Sequence, residues 1–214
     1  MKERPILFND QMVRAILEGR KTVTRRVVSP QPDFLGSMVD PNTPFKTLDA
    51  GLHARITCPY GEPGDRLWVR ETWMDLRGTG VEHRPTPDSP LQRYAYGADS
   101  PPGSVSDEAR KDFGLKWRPS IHMPRTACRI LLEVTAVRVE RLHAITRSDI
   151  RAEGLQCPPE LCSDDVSPNY RDWYPAAWRE LWESTGGDWD ANPWVWVIEF
   201  KRVTPCPPAA QQSG

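Results

Sequence analysis

The run Trp194-Val195-Trp196-Val197-Ile198 is apolar at every position. Successive side chains of a strand point to opposite faces, so an unbroken apolar run needs cover on both. The segment Trp194 to Val203 therefore predicts a strand in the middle of a sheet. Other extended segments read more weakly. Arg66-Leu67-Trp68-Val69-Arg70 alternates as a half-buried strand after a Gly64-Asp65 turn. Tyr94 to Tyr96 reads as a shorter strand. Arg125 to Arg141 reads as one long or bent strand whose apolar phase slips near Ala136, as a bulge would make it do.

Three helices are legible from their ends. Asn9 or Asp10 caps a helix with Met12, Val13, Ile16 and Leu17 on one face, and Gly19 stops it. Thr146-Arg147-Ser148-Asp149 resembles a capping box ahead of a short helix, Asp149 to Glu153, stopped by Gly154. Pro175 suits a first helical turn and predicts a helix to about Thr185, with Trp178, Leu181 and Trp182 as a core-facing stripe. Strands and short helices mixed in this way predict an α+β chain built on a small, curved sheet.

Composition narrows the function classes. The 214 residues carry 28 Lys+Arg against 29 Asp+Glu, a formal charge of -1, which excludes a generally basic nucleic-acid coat but not a local patch. No apolar run approaches a membrane span, and the N-terminus lacks the apolar core of a signal peptide, so a cytoplasmic protein is expected. The 5 cysteines show no paired C-x-x-C spacing, so neither a zinc site nor a disulfide framework is expected, and no cofactor is implied. The 22 prolines gather in stretches that read as loops, Gln31 to Thr47, Arg84 to Pro102 and Cys157 to Pro168, and residues 205–214 read as a flexible tail.

Between the first helix and the extended segment Lys21 to Val28 stands Gly19-Arg20-Lys21-Thr22-Val23-Thr24-Arg25-Arg26. Four cationic side chains and two hydroxyls crowd into eight residues. A solvated basic turn is the plain reading. The same set also supplies what an anionic or carbonyl-bearing ligand needs: fixed charge, hydroxyls and main-chain donors.

With Gly19, Lys21, Thr24 and Arg26 the stretch resembles the ASCH-domain family, marked by G-x-K-x-x-E/T-x-R. Later landmarks arrive in order: Gly64-Asp65 before a strand, Ile145-Thr146 to Ala152-Glu153-Gly154, and the closing Val197-Ile198-Glu199-Phe200-Lys201. Cys58-Pro59-Tyr60-Gly61, Gly64 to Glu71 and Trp117 to Arg125 are similar to the longer ASCH proteins of bacteriophages and prophages. The resemblance spans nearly residues 3 to 203. It implies a PUA-like curved mixed β-barrel with flanking short helices, a single domain over residues 1–204, and insertions near 31–60 and 74–115.

The version of the motif with Thr resembles small bacterial amidohydrolases that deacetylate N4-acetylcytidine. That resemblance implies a catalytic set of Lys21, Thr24 and Glu153, with Glu71 as the fallback carboxylate. Thr24 would attack the amide carbonyl, Lys21 would take its proton once burial or neighbouring cations lower its pKa, and Glu153 would protonate the leaving nitrogen. Arg26 or a main-chain N–H would hold the oxyanion. Lys21 and Thr24 would point to opposite faces of a regular strand, so this requires a turn or bulge between Gly19 and Val23.

Further substrate-binding candidates are Arg25, Glu71, His122, Arg125 and Trp68. Each has a structural alternative. Glu71 faces a pocket or pairs with an arginine such as Arg70 or Arg125; His122 lines a pocket or bonds loop carbonyls; Trp68 and Trp73 stack on a base or pack in the core. Trp194 and Trp196 are expected in the core, and His53 and His143 on the surface. Glu160, Asp164 and Asp165 read as a solvated loop. The partner expected is a modified nucleoside or RNA, with neither membrane nor metal. The alternatives to hydrolysis are a module that binds RNA or a modified nucleotide through Lys21, Arg25, Arg26 and Arg125, and a phage regulatory protein that binds a host partner.

Overall fold

A computed structural model describes residues 1–36, 40–82, 87–88, 91–158 and 168–203. Its spine is a five-stranded sheet of β1 (Glu3–Leu7), β6 (Arg66–Arg70), β9 (Leu131–Arg141), β10 (Trp194–Val203) and β2 (Val23–Val27), in that order. β1 and β6 run parallel, and the other neighbours are antiparallel. The all-apolar strand thus lies between two partners, as its pattern predicts. One face of β10 packs Trp196, Ile198 and Phe200 against Ile6, Val13 and Leu132; the other packs Val195 and Val197 against Leu142, Ile150, Trp178 and Trp182.

The sheet curls strongly without closing. β1 and β2 are its two edges, and they meet through a side chain, Arg26 Nη2 donating to Leu7 O at 2.6 Å. The helix α1 (Asp10–Leu17) carries the chain across this gap in place of a strand pairing. Asn9 caps α1, its Oδ1 accepting from Met12 N at 2.8 Å, and Gly19 leaves it with φ 75°. The phase slip in β9 is real: the register shifts so that Glu199 faces Ala136 while Phe200 faces Val134, leaving Thr135 as the extra residue of a bulge.

Two expectations on element limits are corrected. The long strand begins at Leu131 rather than Arg125, because Pro124 opens a single 3₁₀ turn over Arg125–Ala127. The helix α4 runs Pro168–Ser184, so Pro175 sits inside it instead of opening it. Proline at that point removes one helical N–H donor. Tyr174 is buried and Trp173 partly so against the face of β10 that carries Val195 and Val197. That packing stabilises the turn ahead of the proline.

The stretch 31–47 is not all loop. β3 (Phe34–Leu35) and β4 (Pro44–Thr47) pair with β5 (His53–Arg55) in a small antiparallel sheet. In the second long stretch, β7 (Trp73–Asp75) pairs with β8 (Tyr94–Tyr96), followed by α2 (Val105–Asp112). The short helix after the capping box, α3, spans Arg147–Ala152, with Thr146 Oγ1 accepting from Asp149 N at 3.1 Å. Glu160, Cys162, Asp164, Asp165, Cys206 and the tail 205–214 lie outside the described residues. Among the described residues no helix is long and apolar enough to cross a membrane.

Candidate functional site

The site is built where α1, α3 and β2 converge. After Gly19 the chain turns back on its helix, and the amides of Arg20 and Lys21 both donate to Ala15 O, at 2.8 and 3.0 Å. Lys21 therefore precedes the strand proper, which begins at Val23. This is the turn that the motif requires, since it frees Lys21 from the alternation that governs Thr24.

The end of α3 docks onto that turn. Lys21 and Glu153 form a single antiparallel bridge, and Thr22 N donates to Ala152 O at 2.8 Å. Gly154 permits the approach: its φ is 95°, and a Cβ there would lie 2.8 Å from Ala15 Cβ and 3.0 Å from Lys21 Cβ. The backbone thus brings two residues 132 positions apart side by side.

Lys21 and Glu153 are both buried. The Lys21 ammonium donates to Glu153 Oε2 at 2.6 Å, to Val23 O at 2.8 Å and to Glu153 O at 3.1 Å. Burial lowers the Lys21 pKa, and the Glu153 carboxylate opposes that effect without cancelling it. Arg26 and Arg25 push it down further, as the crowding of cations in the motif suggests, but burial is the larger cause.

Arg25 is also buried and held by three carboxylates: Glu153 Oε1 at 3.2 Å, Asp149 at 2.9 Å and Glu140 at 3.3 Å. Arg138 extends the chain of charge, binding Glu140, Asp149 and Glu199. The last two of Arg25's partners, Asp149 and Glu140, were not among the expected site residues. Asp149 appears in the sequence as the third residue after a helix cap and Glu140 as a strand polar, so neither carries a local signal of its pairing.

Beside this network opens a cleft of about 210 Å³. Thr24, Arg25, Arg26 and Glu153 form its polar side, and Trp178, Leu181 and Trp182 of α4 its apolar side, with Met12 of α1 and the turn Thr185–Gly187 at the margins. The tryptophan stripe is both core and wall. Trp178 and Trp182 are buried, with rings 5.9 Å apart, and Arg25 stands over Trp178 at 5.9 Å. Gly187 packs flush on Trp182, where a Cβ would fall 2.3 Å from its Nε1. Periodicity alone marks such a stripe as core, which is why the wall is not legible before folding.

No family model, curated protein or solved structure matches this chain.

Lys21 does not line the cleft; it reaches it through Glu153, which does. The remaining candidates lie elsewhere. Glu71 is fully buried but pairs with Arg129, in a two-pronged contact of 2.9 Å on each oxygen, rather than with Arg70 or Arg125. Arg129 also binds Asp99 and stacks 3.9 Å over Tyr96. It is the residue next to Ile130, whose carbonyl accepts from Val69 N, and this proximity selects it.

His122 is exposed in a 3₁₀ turn, and Arg125 is exposed and paired with Glu3 at 3.0 Å. Trp68 is half-buried with Arg70 over its ring at 5.4 Å, while Trp73 is buried. Trp196 is buried, and Trp194 is partly covered, with Arg141 stacked on it at 4.3 Å. His53 and His143 are exposed. Among the described residues no three His, Cys, Asp or Glu side chains gather as metal ligands would.

Proposed function

We propose that this chain is an amidohydrolase that removes the acyl group from an N4-acylated cytidine, on a PUA-like fold of the ASCH type. The observation that carries the reading is the buried Lys21–Glu153 pair, one of whose members lines a cleft that Thr24 also lines. The fold assignment draws on the curl of the sheet, whose edges are close enough for Arg26 to bond Leu7 O.

In this reading the pair works as one acid–base unit, with Glu153 as the member that faces substrate. Thr24 Oγ attacks the acyl carbon while its proton passes to the Glu153 carboxylate. Glu153 then gives that proton to N4 as the C–N4 bond breaks, and cytidine leaves. Water attacks the acyl-Thr24 ester with Glu153 again as base, which releases the carboxylic acid and restores Thr24. Lys21 holds Glu153 in place and, with a lowered pKa, shares its proton readily. Arg26 supplies charge for the oxyanion.

A reader of RNA by salt-dependent contacts draws on the same cations, and they are already engaged. Lys21 and Arg25 are buried against carboxylates, Arg125 pairs with Glu3 away from the cleft, and Arg26 donates to Leu7 O. Neutralised, buried cations are poor phosphate clamps.

The test is turnover of N4-acetylcytidine by wild type, Lys21→Ala and Thr24→Ala, followed by mass spectrometry. Release of cytidine and acetate by wild type and its loss in both variants is expected. Absence of turnover by wild type at high enzyme concentration overturns the hydrolase reading.

A further inference from the structure

The register of β2 against β10 decides which way its main chain faces. Val28 N donates to Trp194 O and Phe200 N donates to Thr22 O, and the strands pair Arg26 with Trp196 and Thr24 with Ile198. In an antiparallel ladder the hydrogen-bonded residues alternate. Thr24 and Arg26 therefore spend both amide and carbonyl on β10, joined by Thr22 O and Val28 N at the ends of the ladder, while the amides and carbonyls of Val23, Arg25 and Val27 face the open edge. Val23 O is taken by Lys21 Nζ. The amides and carbonyls of Arg25 and Val27 have no hydrogen-bond partner among the described residues, and both residues line the cleft.

The same walls hold two further donors without acceptors. Arg25 Nε and Trp178 Nε1 are buried and unpartnered, in residues that are each 3% exposed. Buried polar groups left in this state are costly unless something completes them. The cleft is too small for an added peptide strand, and at about 210 Å³ it falls below the roughly 300–1,000 Å³ of drug-sized sites. It suits one planar ring with a small substituent.

We infer that the free edge of β2 is the recognition surface of this cleft. Arg25 and Val27 read a heteroaromatic amide that presents a ring-nitrogen acceptor beside an N–H donor, with the indoles of Trp178 and Trp182 as the wall. An N4-acylated cytosine has this edge, its N3 accepting and its N4–H donating, side by side. A strand edge offers amides and carbonyls in the same adjacency. The inference rests on the hydrolase reading for its ligand and goes beyond it by assigning specificity to main-chain groups that no side-chain motif reveals.

The experiment is amide hydrogen exchange by NMR on the wild-type chain with and without saturating N4-acetylcytidine, with tryptophan fluorescence as an independent report of binding. Exchange at Arg25 and Val27 is expected to slow at least about tenfold, while Thr24 and Arg26, already paired with β10, change little. A second arm uses Val27→Pro, which deletes an outward N–H without removing a ladder bond, against Val27→Ala, which keeps it. The proline variant is expected to weaken binding by about 3- to 10-fold, the loss of one neutral hydrogen bond. Binding by wild type with no slowing at either amide overturns the inference and leaves the hydrolase reading standing. Absence of any binding by wild type overturns both.

Discussion

Lys21 Nζ lies 2.6 Å from Glu153 Oε2, and both side chains are withdrawn from solvent, at 0% and 2% exposure. Two opposite charges so placed have given up hydration that their mutual attraction alone does not restore; two main-chain carbonyls, Val23 O and Glu153 O, complete the ammonium shell. Removing one partner leaves the other buried and partly unpaired. Lys21→Met or Glu153→Leu alone is expected to cost about 3–5 kcal/mol, and the double variant less than the sum, since two apolar side chains can replace a buried pair. Urea denaturation of the three variants measures the coupling; strict additivity would contradict it.

Lys21 also imposes a pH dependence with a definite sign. Its folded-state pKa is lowered, chiefly by burial, whereas in the unfolded chain it is about 10.4. Between those two values the unfolded chain binds more protons, so this group makes stability rise with pH across that window and contributes no slope below it. Urea midpoints for wild type and Lys21→Met, taken from about pH 7 to about pH 10, should diverge in favour of wild type as pH increases. A constant difference would mean that Lys21 titrates as if exposed.

Two buried carboxylates compete for the acid–base role, and their neighbours separate them. Glu153 lines the cleft with Thr24, while Glu71 is held by Arg129 outside it. Glu153→Gln should lower kcat by about 10²–10⁴, the range for loss of a general acid–base group. Glu71→Gln should leave kcat unchanged and act on stability alone. Equal losses in the two variants would move the active centre.

Gly154 is the hinge on which Glu153 meets Lys21. Gly154→Ala places a methyl 2.8 Å from Ala15 Cβ in a backbone conformation with φ 95°. The substitution should cost about 1–3 kcal/mol through strain and should shift the docking of α3, reducing turnover beyond what stability explains. Thermal unfolding and kcat on the same preparation test it; wild-type behaviour in both would show that the contact is slack.

What the sequence determined by itself is local and periodic. The uninterrupted apolar run set β10 in mid-sheet, the caps Asn9 and Thr146 and the stops Gly19 and Gly154 bounded two helices, and the phase slip near Ala136 marked the bulge in β9. These follow from side-chain alternation and from the hydrogen bonds a helix end leaves open, both properties of neighbours along the chain. The crowded Gly19–Arg26 segment was legible for the same reason. Tertiary structure decided the rest. That Arg25 answers to Asp149 and Glu140, that Glu71 pairs with Arg129, and that Trp178 walls a cleft as well as a core depend on residues 58 to 153 positions apart or more. Sheet order and the curl that brings Leu7 to Arg26 fix those distances. Charge pairing across such separations carries no periodicity, so only the fold can select each partner.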